Sequence, residues 1–231
     1  MKATIHLVSF IFLFVLVACG GSATEGQKVE AKEAKVPTTE TAASADADLK
    51  TFNVNKGTLT WTGSKVIGNS SHTGTINIPM GDLKAVGGEI TSGQFVVDMN
   101  SINCTDLTED DGKGKLEGHL KSADFFDVEN NPRATFLLTG AAPLEGQADA
   151  THSITGNLTL RGVSKSITFP AKVTIADNKL MATSPSFTID RTQWGIEYGS
   201  GSIVGLAKDK VISNDIALEL SLEAVASAPV Q

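Results

Sequence analysis

Residues Ile216 to Ala224 read Ile-Ala-Leu-Glu-Leu-Ser-Leu-Glu-Ala, and this stretch decides the fold class. Its large apolar side chains occupy every second position, and the positions between them carry Ala, Glu or Ser. A period of two places all the large apolar groups on one face of an extended chain. The stretch therefore predicts a β-strand with one buried face and one face in water.

The same alternation recurs through the chain from Leu49 to about Ala226. Turn residues such as Gly87-Gly88 and Asn130-Asn131-Pro132 separate the alternating segments. Eight segments are strand candidates, at 59–61, 74–78, 95–99, 136–138, 154–160, 167–169, 187–189 and 216–224. The composition agrees, since 24 Thr and 22 Gly are typical of strands and turns.

One segment departs from the period of two. Between Lys113 and Ala123, Leu116 and Leu120 are four residues apart, which predicts a short helix. Eight half-buried strands with one short helix predict an all-β fold, an eight-stranded antiparallel barrel, because closure removes exposed strand edges. A two-sheet sandwich is the alternative. The interior of such a barrel either is filled by side chains or holds one small ligand.

The N-terminal residues 1–18 have the pattern of a signal peptide. Lys2 precedes a 12-residue run from Leu7 to Ala18 that only Ser9 interrupts, too short to span a bilayer. The run leads into Cys19, and Leu16-Val17-Ala18-Cys19 resembles the lipobox of bacterial lipoproteins. This resemblance implies cleavage before Cys19 and acylation of its thiol. An ordinary secretory signal is the alternative.

Residues 19–48 are predicted to be a lipidated N-terminus followed by a disordered tether. From Gly20 to Asp48 the sequence has no aromatic residue and no Ile or Leu, so little apolar surface is available for burial. Twenty-nine flexible residues would span roughly 30 Å. The barrel domain is expected at 49–226, and residues 227–231 are expected to form a C-terminal tail.

Charge excludes one class of partner. The formal net charge is −7, and the sequence has no basic cluster, so a nucleic-acid partner is not expected.

Four motifs carry a family resemblance. His119-Leu120-Lys121-Ser122 continues into Asp124-Phe125-Phe126-Asp127, and Pro132 and Phe136 follow. The other three are 156–163 (GNLTLRGV), 190–196 (DRTQWGI) and Ser101-Ile102 with Thr105-Asp106. In this order and spacing the motifs resemble the signature of the YceI-like lipid-binding family, over essentially all of 49–226.

The resemblance implies a lipocalin-like barrel that binds an isoprenoid-type lipid in an elongated apolar cavity. It implies no cofactor other than a bound lipid. With the signal peptide and Cys19, it implies a membrane-anchored lipoprotein of the cell envelope, facing the periplasm and attached to the outer membrane. The oligomeric state stays open, and a dimer is compatible with the family.

The cavity-lining residues are expected on the apolar faces of the strands, in the Phe125-Phe126 pair and at Trp194. His119 and Arg191 are expected either to contact a lipid headgroup or to have structural roles. The full set of expected lining residues is Trp61, Ile76, Ile78, Phe95, Val97, Phe125, Phe126, Phe136, Leu138, Leu158, Leu160, Phe169, Phe187, Ile189, Trp194, Leu218 and Leu220.

Metal binding and catalysis are not expected. His72, His119 and His152 do not have the spacing of a zinc site. No nucleophile motif is present, and Cys104 has no nearby cation in the sequence to lower its pKa. Two alternatives remain open: a structural barrel without ligand, and an enzyme acting on a lipid, with His119 or His72 as the acid–base residue. A carboxylate or nucleophile that meets one of these histidines in the cavity would favour the enzyme.

Overall fold

The computed structural model describes residues 26–36, 48–68, 70–203 and 205–227. The predicted signal peptide and Cys19 lie outside these residues. Among the described residues, no helix is long and apolar enough to cross a membrane. The elements are β1 (Gln27–Lys28), β2 (Lys32–Glu33), β3 (Leu49–Ser64), β4 (Ser71–Val86), β5 (Glu89–Cys104), α1 (Lys113–Lys121), β6 (Arg133–Pro143), β7 (His152–Leu160), β8 (Val163–Ala176), β9 (Lys179–Thr183), β10 (Phe187–Asp190), a 3-10 helix (Arg191–Trp194), a 3-10 turn (Lys208–Lys210) and β11 (Asp215–Ala226).

Eight strands form a closed antiparallel barrel. The strands β3 to β9 pair in chain order, β9 pairs with β11, and β11 returns to pair with β3. The prediction of an eight-stranded antiparallel barrel with one short helix is confirmed, and the sandwich alternative is wrong. On β11, Leu218, Leu220 and Leu222 are buried while Glu219 and Glu223 are exposed, as the alternation predicts.

One barrel strand differs from the prediction. The sequence indicated a strand at 187–189, but the strand that closes the barrel is β9, and β10 follows it as a short extra strand on β11. In β9, Leu180 is fully buried, and Ala182 is the one other inward residue, half-buried. In these five residues the two large apolar side chains, Leu180 and the exposed Met181, are adjacent, so no alternation is visible in the sequence.

The predicted tether is wrong for residues 26–36. In this segment β1 pairs in parallel with β10, and β2 pairs antiparallel with β8. Val29 between them is buried at 5% exposure. Farther along, the Lys35 N–H donates to Asn157 Oδ1 (2.9 Å), and Asn157 Nδ2 donates to the Lys35 carbonyl (2.6 Å). We call residues 26–36 the N-terminal strap. Backbone pairing and one buried side chain order the strap. Because the strap has no apolar stripe, its sequence pattern predicts a disordered tether instead.

The helix α1 covers one end of the barrel and packs against β5. Leu120 is its buried residue. Glu117 Oε1 accepts a hydrogen bond from the backbone N–H of Cys104 at the end of β5 (2.8 Å), which fixes the helix to the sheet. The helix therefore brings Leu116, His119 and the following Phe125-Phe126 pair to this end of the interior.

Candidate functional site

The barrel interior holds a main cavity of about 310 Å³ at the end that α1 covers. Its wall is apolar along the strands, and its polar groups gather where β3, β4 and the 3-10 helix reach that end. Nine of the predicted lining residues lie on its wall: Trp61, Ile76, Val97, Phe125, Phe126, Leu158, Leu160, Ile189 and Leu218. That these residues contact a lipid stays a prediction.

A second, smaller cavity of about 40 Å³ lies at the other end of the interior. Five of the predicted residues line it: Phe95, Phe136, Leu138, Phe169 and Leu220. The remaining three line neither cavity, which corrects the prediction. Ile78 and Phe187 are buried in the core, and the indole N–H of Trp194 donates to the Leu158 carbonyl (3.0 Å). The sequence pattern could not separate lining from packing, because both need inward apolar side chains.

Arg191 is fully buried at the polar end of the main cavity. Its guanidinium donates to three backbone carbonyls, those of Ile196 (2.6 Å), Ser213 (3.1 Å) and Ile212 (3.4 Å). It also lies 5.2 Å from the centre of the Phe125 ring, at cation–π distance. Burial lowers the pKa of Arg191, and Asp190 partly opposes this. These contacts give Arg191 a structural role; its contact with a headgroup stays a prediction.

His119 also lines this end of the cavity, on α1. Its contacts are aromatic: the ring lies edge-on to Tyr198 (4.4 Å between ring centres) and to Phe125 (5.8 Å). Tyr198 is itself 46% exposed, so this cluster borders the opening to solvent. The 190–196 motif and the 119–127 motif, far apart in sequence, thus meet at one end of the barrel.

Trp61 on β3 has an unusual buried polar atom. The side chain lines the main cavity, and its Nε1–H has no hydrogen-bond partner among the described residues. A Cβ at Gly74 would lie 2.6 Å from the Trp61 ring, so the glycine on β4 makes room for the indole. A buried N–H without a partner costs free energy unless something else accepts from it.

A second polar cluster joins β4 to the end of β5. His72 Nδ1 lies 3.0 Å from Asp106 Oδ2, and His72 lines the main cavity. Asp106 Oδ1 accepts from the backbone N–H of Thr73 (3.0 Å) and from the Cys104 thiol (3.1 Å). Burial, followed by the hydrogen bond to Asp106, raises the pKa of Cys104, so the thiolate is disfavoured. In the part of the chain that the structure describes, no group of three or more His, Cys, Asp or Glu side chains has an arrangement that could hold a metal ion.

A closed antiparallel barrel with an apolar cavity and polar groups at one end is the architecture of a lipocalin-like ligand-binding protein. A family model described as YceI-like domain matches residues 50–224. The chain belongs to the YceI-like domain family, as the four motifs predicted.

Curated relatives match over shorter stretches. A UPF0312 protein of Pseudomonas aeruginosa is 44% identical over 64 residues, which are 28% of this chain and 31% of the relative. Protein YceI of Salmonella newport is 35% identical over 95 residues, 40% of this chain and 48% of its own. The matches thus span 31% and 48% of the length of these relatives, less than half in each case.

Two solved structures share the fold. A polyisoprenoid-binding domain from Saccharophagus degradans, implicated in plant cell wall breakdown, has a TM-score of 0.54 and 19% identity. The match covers 76% of this chain and 98% of that domain. Burkholderia cenocepacia BcnA has a TM-score of 0.51 and 16% identity, covering 73% and 96% of the two chains. At these identities the likeness shows the fold alone.

Proposed function

We propose that the protein binds an isoprenoid-type or similar apolar lipid in its main cavity, and shields or carries it without chemical change. The observation that carries the proposal is the cavity itself, about 310 Å³ with apolar walls inside a closed barrel. Pockets of this size and lining are typical of small-ligand sites. The polyisoprenoid-binding description of the Saccharophagus degradans neighbour supports the choice of ligand class.

The distribution of polar groups supports an orientation for the ligand. His72, His119 and Arg191 lie at one end of the main cavity, and the opposite end is apolar. An amphiphile would place its polar end among these residues and its chain toward the interior. The unpaired Nε1–H of Trp61 is then available to donate to an oxygen of the ligand.

The energetics of lipid binding favour reversible transport of the lipid over its permanent retention. A lipid competes between the cavity and the bilayer, and both are apolar, so transfer between them is close to neutral. Shape and polar contacts at the open end must therefore supply selectivity. A protein of this kind can take up a lipid from one membrane and release it to another.

Location in the cell envelope is part of the proposal. Acylation of Cys19 would anchor the chain on the periplasmic side, at the outer membrane. Because the strap is packed on the barrel from Gly26, only six residues lie between it and Cys19, and these seven Cα–Cα steps reach at most about 25 Å. The strap would thus keep the barrel near the membrane, whereas a flexible tether of 29 residues would let it move farther away.

The enzyme alternative has one observation in its favour, the His72–Asp106 pair, of which His72 lies on the cavity wall. Against it, the nearest sulfur nucleophile, Cys104, is fully buried, hydrogen-bonded to Asp106, and has a raised pKa. We therefore propose a binding role, in which this pair fixes β4 to the segment after β5.

The test is to identify what the protein holds. The chain carrying Cys19→Ser, with the strap retained, is expressed with its signal peptide, purified without detergent and extracted with organic solvent. Mass spectrometry is expected to find about one apolar lipid per chain, unchanged after incubation. Extracts that contain no lipid, from protein that also takes up none from vesicles, would contradict the proposal and favour a barrel without ligand.

A further inference from the structure

The two cavities are consecutive compartments of one barrel interior. On β5, Val97 lines the main cavity and Phe95, two residues away on the same face, lines the small one. On β11 the same holds for Leu218 and Leu220. Two residues along a strand correspond to about 6.6 Å. The layer of side chains that lines the inner end of the main cavity therefore lies directly against the layer that lines the small cavity.

Aromatic rings fill most of the layer on the small-cavity side, next to the inner end of the main cavity. We call Phe95, Phe136, Phe169 and Phe187 the phenylalanine layer. The rings of Phe95 and Phe136 stack with centres 5.1 Å apart, Phe136 lies edge-on to Phe169 (5.7 Å), and Phe169 stacks on Phe187 (4.5 Å). These residues belong to β5, β6, β8 and β10, so the layer extends across the barrel interior.

Gly156 on β7 allows the layer to be continuous. β7 lies between β6 and β8, and its residue at this level has no side chain. A Cβ at Gly156 would overlap the Phe136 ring. The Phe136 ring therefore lies over the glycine backbone and reaches Phe169. Phe136, at 3% exposure, is packed on both sides.

The volume of the main cavity then limits what it can hold. An apolar cavity of about 150 Å³ holds one benzene molecule, which has six carbon atoms. By this measure the 310 Å³ of the main cavity hold about twelve carbon atoms. The small cavity, at 40 Å³, would add little even if the two were joined around an intact Phe136 ring.

We propose that the phenylalanine layer, with Phe136 at its centre, is the floor of the binding cavity and restricts the ligand to a short chain of about twelve carbons. The ligand class is thus a short isoprenoid or a single short acyl chain with a polar end. This inference rests on the proposed function and adds a specificity-determining residue to it. Removing the Phe136 ring would join the compartments into about 500 Å³, enough for about twenty carbons.

The experiment measures chain-length preference. The Cys19→Ser protein, cleared of lipid by solvent extraction and refolding, is titrated with the isoprenoid alcohols geraniol, farnesol and geranylgeraniol, of 10, 15 and 20 carbons. The change in tryptophan fluorescence reports binding, since Trp61 lies in the cavity wall and Trp194, the second tryptophan, does not line it. In the otherwise unchanged protein, geraniol, whose 10 carbons fit the cavity, should bind at least about tenfold more tightly than geranylgeraniol, whose 20 carbons do not fit. In Phe136→Ala this ratio should fall to about one or reverse.

Two further variants distinguish the effect of removing the floor from the effect of weaker packing elsewhere in the core. Leu222→Ala enlarges the small cavity behind an intact Phe136 and should leave the preference for geraniol over geranylgeraniol unchanged. Phe136→Leu retains more packing if Phe136→Ala does not fold, and should shift the preference in the same direction to a smaller extent. Circular dichroism checks that each variant is folded.

The outcomes are distinguishable. A preference for short chains that Phe136→Ala abolishes and Leu222→Ala preserves supports the floor. Equal or tighter binding of geranylgeraniol by the protein with Phe136 intact, or an unchanged ratio in folded Phe136 variants, overturns the floor and leaves the lipid-binding proposal standing. Absence of binding at all three chain lengths overturns both.

Discussion

Leu218 and Leu220 lie two residues apart on the buried face of β11, yet they line different cavities. Both side chains are 8% exposed, so burial does not distinguish them. What differs is the space in front of each, about 310 Å³ at Leu218 and about 40 Å³ at Leu220. The same substitution at the two positions therefore compares the proposed ligand cavity with a more tightly packed part of the core.

Tryptophan at these two positions should have opposite effects. In Leu220→Trp the larger ring overfills the small cavity, and the free energy of unfolding should fall by roughly 1–3 kcal/mol. In Leu218→Trp the ring enters the main cavity, so stability should change by less than about 1 kcal/mol while bound lipid decreases. Urea denaturation and lipid extraction measure the two quantities. Equal destabilisation with unchanged lipid in both variants would indicate that the main cavity is not the site.

The fold could be predicted because alternation is local. A strand with several large inward side chains shows its buried face within about eight residues, and Ile216–Ala224 is the clearest case. Strands that are ordered mainly by pairing with their neighbours do not show this alternation in the sequence. β9 has one large buried side chain, and the strap has one, Val29, so pairing with β8, β10 and β11 orders them.

The site could be predicted only as a set of inward residues. Alternation places Phe136 inside, but it does not show that the Phe136 ring reaches Phe169 over Gly156. That contact joins residues on strands that are not neighbours, and it is possible only because Gly156, on the strand between them, has no side chain. Trp194 is predicted in the cavity wall by the family resemblance and not by alternation; in the structure its indole N–H donates to the Leu158 carbonyl on β7.

The strap provides a second prediction. Asn157→Ala removes the two hydrogen bonds to the Lys35 backbone and should lower the free energy of unfolding by about 1–3 kcal/mol. Hydrogen exchange at residues 27–35 should accelerate, because the β2 pairing loses its neighbouring support. Thr159→Ala, two residues along the same face of β7, is the matched control. Unchanged exchange in Asn157→Ala would contradict a stabilising role for these bonds.

Asp106 gives a pH-dependent prediction. Burial raises its pKa, but hydrogen bonds from Cys104, Thr73 and His72 outweigh this, and the folded pKa lies below the ordinary value of 3.8. Because the folded pKa is the lower one, the stabilisation is complete above the unfolded pKa and is lost as pH falls through the folded pKa.

Asp106→Asn should therefore be less stable than the unchanged protein at pH 7, and the gap should narrow below pH 3.8. Urea denaturation at a series of pH values measures the gap. If the two stability curves remain parallel down to acidic pH, the ionised Asp106 carboxylate is not the stabilising species.

The last prediction concerns the anchor. The chain has two cysteines, Cys19 and Cys104, so the matched pair Cys19→Ser and Cys104→Ser separates acylation from general thiol loss. Acyl chains on Cys19 would hold the protein on the membrane, since each buried methylene contributes about 0.8 kcal/mol. Cys19→Ser should therefore move the protein from the membrane fraction to the soluble fraction, with an unchanged melting temperature. Cys104→Ser should remain with the membrane, because Cys104 is fully buried at the end of β5. A Cys19→Ser protein that stays in the membrane fraction after a high-salt wash would show that another feature of the chain provides the attachment.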